Sequence, residues 1–163
     1  MPTPTKPRAV FDASPLVFLD GLGYLDRLPE LYEVFVTPTV AAELDRPPHR
    51  PGAGVAALSW VTVQAPAPDV LETVTAELQA DAGEQTAIAL ATQLSALLVT
   101  DDAKARRFAE TKDLTLTGTL GILLRLHRLG QARRTLQEDL DVLARNGMRM
   151  SEELREVVLA GAE

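Results

Sequence analysis

The sequence predicts a three-layer α/β/α fold with a central, mostly parallel sheet and extra C-terminal helices. Two observations carry this. Short apolar runs of strand length alternate along the chain with segments whose apolar residues recur at helical spacing. The chain has 163 residues, enough for one sizeable core and little room for two. A third observation concerns function: carboxylates stand repeatedly where a predicted strand ends or a helix begins.

Residues 1–7 hold three prolines and read as a flexible lead-in to a single domain over 8–163. Arg8–Asp12 is a strand ending in a carboxylate. Ser14 is expected to cap the next helix, with Pro15 at its first position and Leu16, Val17, Leu19 and Leu22 on its apolar side. Leu25–Leu31 adds a short turn of helix. Glu33–Thr37 is a second strand, and Pro38 opens a helix carrying Val40, Glu43 and Leu44. Arg46–Gly54 is dense in chain breakers and reads as a loop containing His49. A short helix over Val55–Leu58 and a third strand over Trp60–Gln64 follow, then a helix over Val70–Leu78. Gly83–Ser95 has helical spacing, Leu97–Thr100 is a strand, Ala103–Glu110 a helix and Leu114–Thr117 a strand. Gly118–Gly130, Arg133–Arg145 and Ser151–Leu159 are helical, the last two lying in a C-terminal segment, 131–163, expected to pack on the same domain or to form a lid or dimer contact.

Composition excludes several chemistries. There is no cysteine, so disulfides, thiolate nucleophiles and cysteine-bound zinc are out, and two histidines are too few for an imidazole-built metal site. No apolar run reaches membrane-spanning length and no signal-peptide core is seen, so a cytoplasmic protein is expected. Net charge is -7, but its distribution is uneven: residues 1–102 carry 14 acids and 5 bases, whereas 104–134 carry 8 bases and 2 acids. One basic face on an acidic protein can still meet a polyanion. Neither GxxxxGK[ST] nor GxGxxG occurs, which removes support for nucleotide kinases and dinucleotide enzymes. The first strand is followed by DAS rather than the DxD of aspartyl-nucleophile phosphatases.

In a parallel sheet, ligands bind outside the carboxyl ends of the strands. Asp12, Asp101 and Asp102 follow predicted strands, Glu43 lies on the helix after the second, and Glu84 stands in the first turn of a helix. If they share a cleft they need a counter-charge, and hard oxygen donors favour Mg2+ or Mn2+ over zinc. Such a site suits phosphodiester hydrolysis without a protein nucleophile. Asp12 is the expected central metal ligand, Asp101 or Asp102 the second and Glu84 the third. Glu43 binds through water or orients the attacking water. Ser14 is expected to hydrogen-bond near Asp12. Thr100 is expected to tie down the turn before the acid pair. Thr117 and Thr119 flank a strand-to-helix turn that could meet a phosphate. Lys104 and Arg107 could hold an entering strand, with Arg106 or Arg107 pairing to Glu110 or Asp113, and Arg125, His127 and Arg128 extending the basic track. Each has an ordinary reading too: aspartates cap helices, Asp81 is surface or loop, His127 is an exposed helix residue, and Trp60 and Phe108 are core.

AVFDASPLVFL, TPTVAAEL, DAGEQTAIALA, LLVTDDAKARRFAE and LTLTGTLGILLRLHRLG occur in that order. Together they resemble the PIN-domain nucleases, and more closely a prokaryotic PIN-like branch of uncharacterised proteins related to toxin ribonucleases. The resemblance covers Val10–Gly130. It implies a fold similar to the metal-dependent flap nucleases, with an acidic cleft for Mg2+ or Mn2+, an RNA substrate, single-stranded or structured, and often a cognate antitoxin protein as partner. It carries the family's first aspartate onto Asp12, its hydroxyl position onto Ser14, its early glutamate onto Glu43 and its late acid onto Asp102, with Asp101 adjacent. The central-helix acid, commonly aspartate, is Glu84 here, one methylene longer. A homodimer is a further partner suggested by apolar rows in the first helix and the Val142–Val158 region. The rival expectation is a catalytically silent PIN-like module that binds nucleic acid or protein.

Overall fold

The structure, a computed structural model, describes residues 5–46 and 51–161. His49 and the rest of 47–50 in the breaker-rich loop lie outside the described residues, as do the first four residues of the lead-in. Five parallel strands form one sheet in the order β3-β2-β1-β4-β5: β1 Arg8–Phe11, β2 Glu33–Val36, β3 Val61–Val63, β4 Leu97–Val99 and β5 Leu116–Thr117. The helices are α1 Ala13–Leu22, α2 Leu28–Leu31, α3 Pro38–Leu44, α4 Pro68–Glu77, α5 Ala82–Leu94, α6 Ala103–Thr111, α7 Thr119–Arg128, α8 Leu136–Arg145 and α9 Glu152–Gly161, with 3-10 turns at Leu25–Arg27 and Val55–Ala57.

Alternation along the strands divides the core into two layers, because successive strand side chains point to opposite faces. Ala9, Phe11, Val34, Val36 and Val99 face a cluster with α1, α3, α7, α8 and Val158 of α9. Val10 and Leu98 face the other cluster, with Val74 of α4, Ala87–Ala91 of α5, and Ala105 and Ala109 of α6. Helices thus cover both faces, as an all-parallel sheet requires. Trp60 and Phe108 pack at the edges of these two clusters.

β1 is central and pairs with both β2 and β4 (Val10 with Phe35 and with Leu98). The chain leaves β1 toward β2 and β3 on one side, then returns to build β4 and β5 on the other. The strand order therefore reverses between β1 and β4, which places the topological switch point there.

Several element ends differ from expectation. Asp12, not Ser14, caps α1: its backbone is extended (φ -73°, ψ 168°) and its Oδ1 accepts from the Ala13 N–H at 2.9 Å, which makes Ser14 an exposed second helical residue and puts Pro15 third. α8 starts at Leu136 rather than near Arg133, behind a capping box of Thr135 and Glu138. The last strand shortens to Leu116–Thr117, since Asp113 turns the chain with φ 56°. Ser151 accepts from the Leu154 N–H, as its position before α9 suggests.

Candidate active site

Asp12 is the innermost acid. The β1–β4 ladder runs on past Phe11, with Asp12 N–H donating to Val99 O at 2.9 Å, so the Asp12 side chain leaves the sheet at the switch point. It is only 6% exposed. Thr100, buried after β4, donates its hydroxyl to Asp12 Oδ2 at 3.2 Å and accepts from the Asp102 N–H at 3.2 Å. One threonine thereby ties the turn before the acid pair to the first carboxylate. Burial pushes the Asp12 carboxyl up to about 6, the charges of Asp81 and Glu43 adding to it, while the Ala13 and Thr100 hydrogen bonds pull the other way.

Glu84 stands in the first turn of α5 and is pushed up to about 7, first by burial, then by the charges of Asp81, Asp102 and Asp12. Glu43 of α3 lies against the same turn: a Cβ placed on Gly83 would collide with the Glu43 carboxyl group, whose Oε2 stands 2.8 Å from that point. Only glycine leaves room for that carboxyl group. A hydroxyl chain fixes the two helices to each other. The Val40 N–H donates to Thr37 Oγ1, which lies 2.8 Å from Thr86 Oγ1, and the Thr86 hydroxyl donates to Gly83 O. Both threonines are buried.

The adjacent pair Asp101 and Asp102 divides its work, because successive residues of extended chain point to opposite sides. Asp101 turns toward α7, accepting from the Thr119 N–H at 2.8 Å and the Thr119 hydroxyl at 2.6 Å. Asp102 caps α6 through the Ala105 N–H, 2.8 Å, and its charge acts on Glu84. The structure therefore groups Asp12, Glu43, Glu84 and Asp102. Asp101 faces away from them.

Other sequence expectations shift. Thr119 is fully buried with both its donors committed to Asp101, so as placed it offers nothing to a phosphate. Thr117 stays half-buried at the end of β5. Lys104 donates to Gln79 O at 3.1 Å, and Arg107 is exposed. No ion pair joins Arg106 or Arg107 to Glu110 or Asp113 among the described residues. The supposed track on α7 is occupied by packing: Arg125 stacks on Tyr32, Arg128 holds Gly161 O, and His127 is half-buried against Asp139 at 2.7 Å rather than exposed. Two residues of the site were not expected. Asp81 caps α5 through the Glu84 N–H and its charge acts on both Asp12 and Glu84. Asn146, ending α8, joins Ser14, Phe18 and Glu43 around a recess of about 220 Å³. The D-x-x-E cap spacing could have flagged Asp81; no local pattern links residue 146 to residue 14.

Among the described residues, no three of these acids are gathered closely enough to form a ready-made metal cage, and no basic side chain makes an ion pair with Asp12 or Glu84. The donor set nevertheless fits a hard, water-retaining divalent cation, which needs only one or two direct carboxylates. Burial and neighbouring acids push both Asp12 and Glu84 up, and a cation beside them would offset that cost.

The five-stranded all-parallel sheet with helices on both faces is a three-layer α/β/α fold with carboxylates beside its switch point. The family model described as "DUF3368: PIN domain" matches residues 8–163. The chain belongs to this PIN-domain family, whose members are generally nucleases and typically use divalent metals. No curated protein matches it. Among the described residues no helix is long and apolar enough to cross a membrane.

Proposed function

We propose that the protein is a divalent-metal-dependent endoribonuclease that hydrolyses phosphodiester bonds, the toxin of a toxin–antitoxin pair acting in the cytoplasm. The observation that supports this reading most is Asp12: a nearly inaccessible carboxylate at the switch point, raised to about 6 amid Asp81 and Glu43, with no ion-pair partner among the described residues. Asp12, Glu84 and Asp102 would hold Mg2+ or Mn2+. When bound, the cation supplies a water of lowered pKa and positive charge for the phosphorane oxygens. The chain's own groups do the rest. Thr100 and the Ala13 N–H fix the orientation of Asp12. Glu43, held over Gly83, orients the attacking water and accepts its hydrogen bond. Ser14 at the cleft rim and the exposed Arg107 contact the RNA backbone. The toxin role rests on the family resemblance, which also makes an antitoxin protein a proposed partner; a second copy of the chain is proposed from the apolar rows in the first helix and the Val142–Val158 region.

The test is cleavage of labelled single-stranded RNA and matched DNA in Mg2+, Mn2+ or EDTA by wild type, Asp12→Asn and Glu84→Gln, all purified identically. Metal-dependent RNA cleavage is expected, abolished by EDTA and reduced at least about a hundredfold in both variants, the loss expected when metal ligation fails. Equal rates in wild type and variants, or no cleavage by metal-loaded wild type, would leave the silent binding module in its place.

A further inference from the structure

A second cavity, of about 450 Å³, opens beside the acid cluster between the β5 edge, the start of α7 and the α8–α9 connection. Asp101, the neighbour in sequence of Asp102, lines it. Its floor is apolar, with Leu120, Met148 and Val158. Two arginines line it, Arg106 from α6 and Arg149 from the α8–α9 connection. Neither makes an ion pair among the described residues. Arg106 is half-buried, its Nη1 only 3.0 Å from where a Cβ on Gly118 would sit. Glycine at 118 is what lets the guanidinium lie along the backbone there. Asp101 lines the same cavity, its Oδ1 2.6 Å from that same point and both its oxygens accepting from Thr119, but it makes no ion pair with Arg106 among the described residues.

We infer that this groove holds the single-stranded nucleic acid on one side of the scissile bond, a phosphate between Arg106 and Arg149 and a base against Met148 and Leu120. The inference rests on the nuclease reading and extends it. Charge decides the occupant: two guanidinium groups against the single carboxylate of Asp101 leave the lining net positive and favour a phosphodiester, and the apolar side chains favour a base face over bulk water. The groove also gives the C-terminal segment a part in substrate binding, since Arg149 and Met148 come from it.

Fluorescence anisotropy with an eight-nucleotide RNA and a DNA of the same sequence, in the non-cleaving Asp12→Asn background, tests it. Arg106→Ala and Arg149→Ala should each weaken binding roughly three- to tenfold and lower the salt slope by about 1, with Arg149→Glu losing more. Arg106→Lys should recover part of the loss. Arg8→Ala, an exposed arginine at the start of β1 whose contact is Leu94 O, should stay within about twofold of its parent. Tighter RNA binding assigns the groove to RNA, and equal or tighter DNA binding assigns it to DNA. Parent-like affinity in both alanine variants, or no binding of either strand, overturns the groove. Turnover of the small diester bis(p-nitrophenyl) phosphate separates the two readings. It should be lost in Asp12→Asn, and its absence in wild type alongside Arg149-dependent binding would sink the nuclease while leaving the groove.

Discussion

Two buried aspartates in this protein have opposite surroundings. Asp139 of α8 is completely inaccessible and meets three donors: Tyr24 Oη at 2.7 Å, His127 Nε2 at 2.7 Å and Arg134 Nε at 2.8 Å. Arg134 also holds Leu22 O and lies over the Tyr24 ring, while Tyr24 Oη accepts from the Arg133 N–H. The knot fastens the end of α1 to α7 and α8. Asp12 is almost as buried but has only one backbone N–H and one hydroxyl, and its charged neighbours are acids. A carboxylate given donors and cations holds helices together. One denied them is costly to ionise and is poised to take a cation from outside.

Breaking the knot should give the largest effect. Asp139→Ala strands a half-buried arginine and histidine and the hydroxyl of buried Tyr24, and is expected to cost about 3 kcal/mol of stability in urea unfolding. At Asp12 the sign reverses. Its folded pKa is raised, so the protonated form is favoured: stability is fully present below about pH 4 and is lost as pH rises through about 6, with Glu84 continuing the loss through about 7. Metal-free Asp12→Asn should therefore be more stable than wild type at pH 8 by about 2 kcal/mol and indistinguishable at pH 4. Unfolding in EDTA across that range checks it, and added Mg2+ should stabilise wild type but not the variant. The smallest stability change is expected at Gly83→Ala. Helix propensity favours alanine by at most about 1 kcal/mol, but the new Cβ must push the Glu43 carboxyl group aside. Melting should barely move while cleavage falls roughly tenfold; unchanged cleavage would remove Glu43 from the site.

Much of the fold is legible in local pattern. The strands around Val10, Phe35 and Leu98 read correctly because each is a short apolar run closed by a polar residue, and α5 because its small apolar residues recur at helical spacing. Element starts were less legible where distant groups decide them. Arg133 looks helical, yet its side chain reaches Gly23 O and Asp26 across the molecule, and α8 begins only after it. His127 looked exposed because nothing local announces Asp139 twelve residues on as its partner.

By itself the sequence determined the alternation of strands and helices and the carboxylates beside their ends, since both follow from side-chain polarity and backbone preference over a few residues. It also determined what chemistry was unavailable, by lacking cysteine altogether. Tertiary structure alone decided which carboxylates face one another. It turned Asp101 to Thr119 and Asp102 to Glu84, drew Asp81 into the cluster, and set Glu43 over Gly83. Those choices depend on strand order and on which helix packs where. The electrostatic field at a site is a sum over groups far apart in the chain, and only the folded molecule fixes their distances.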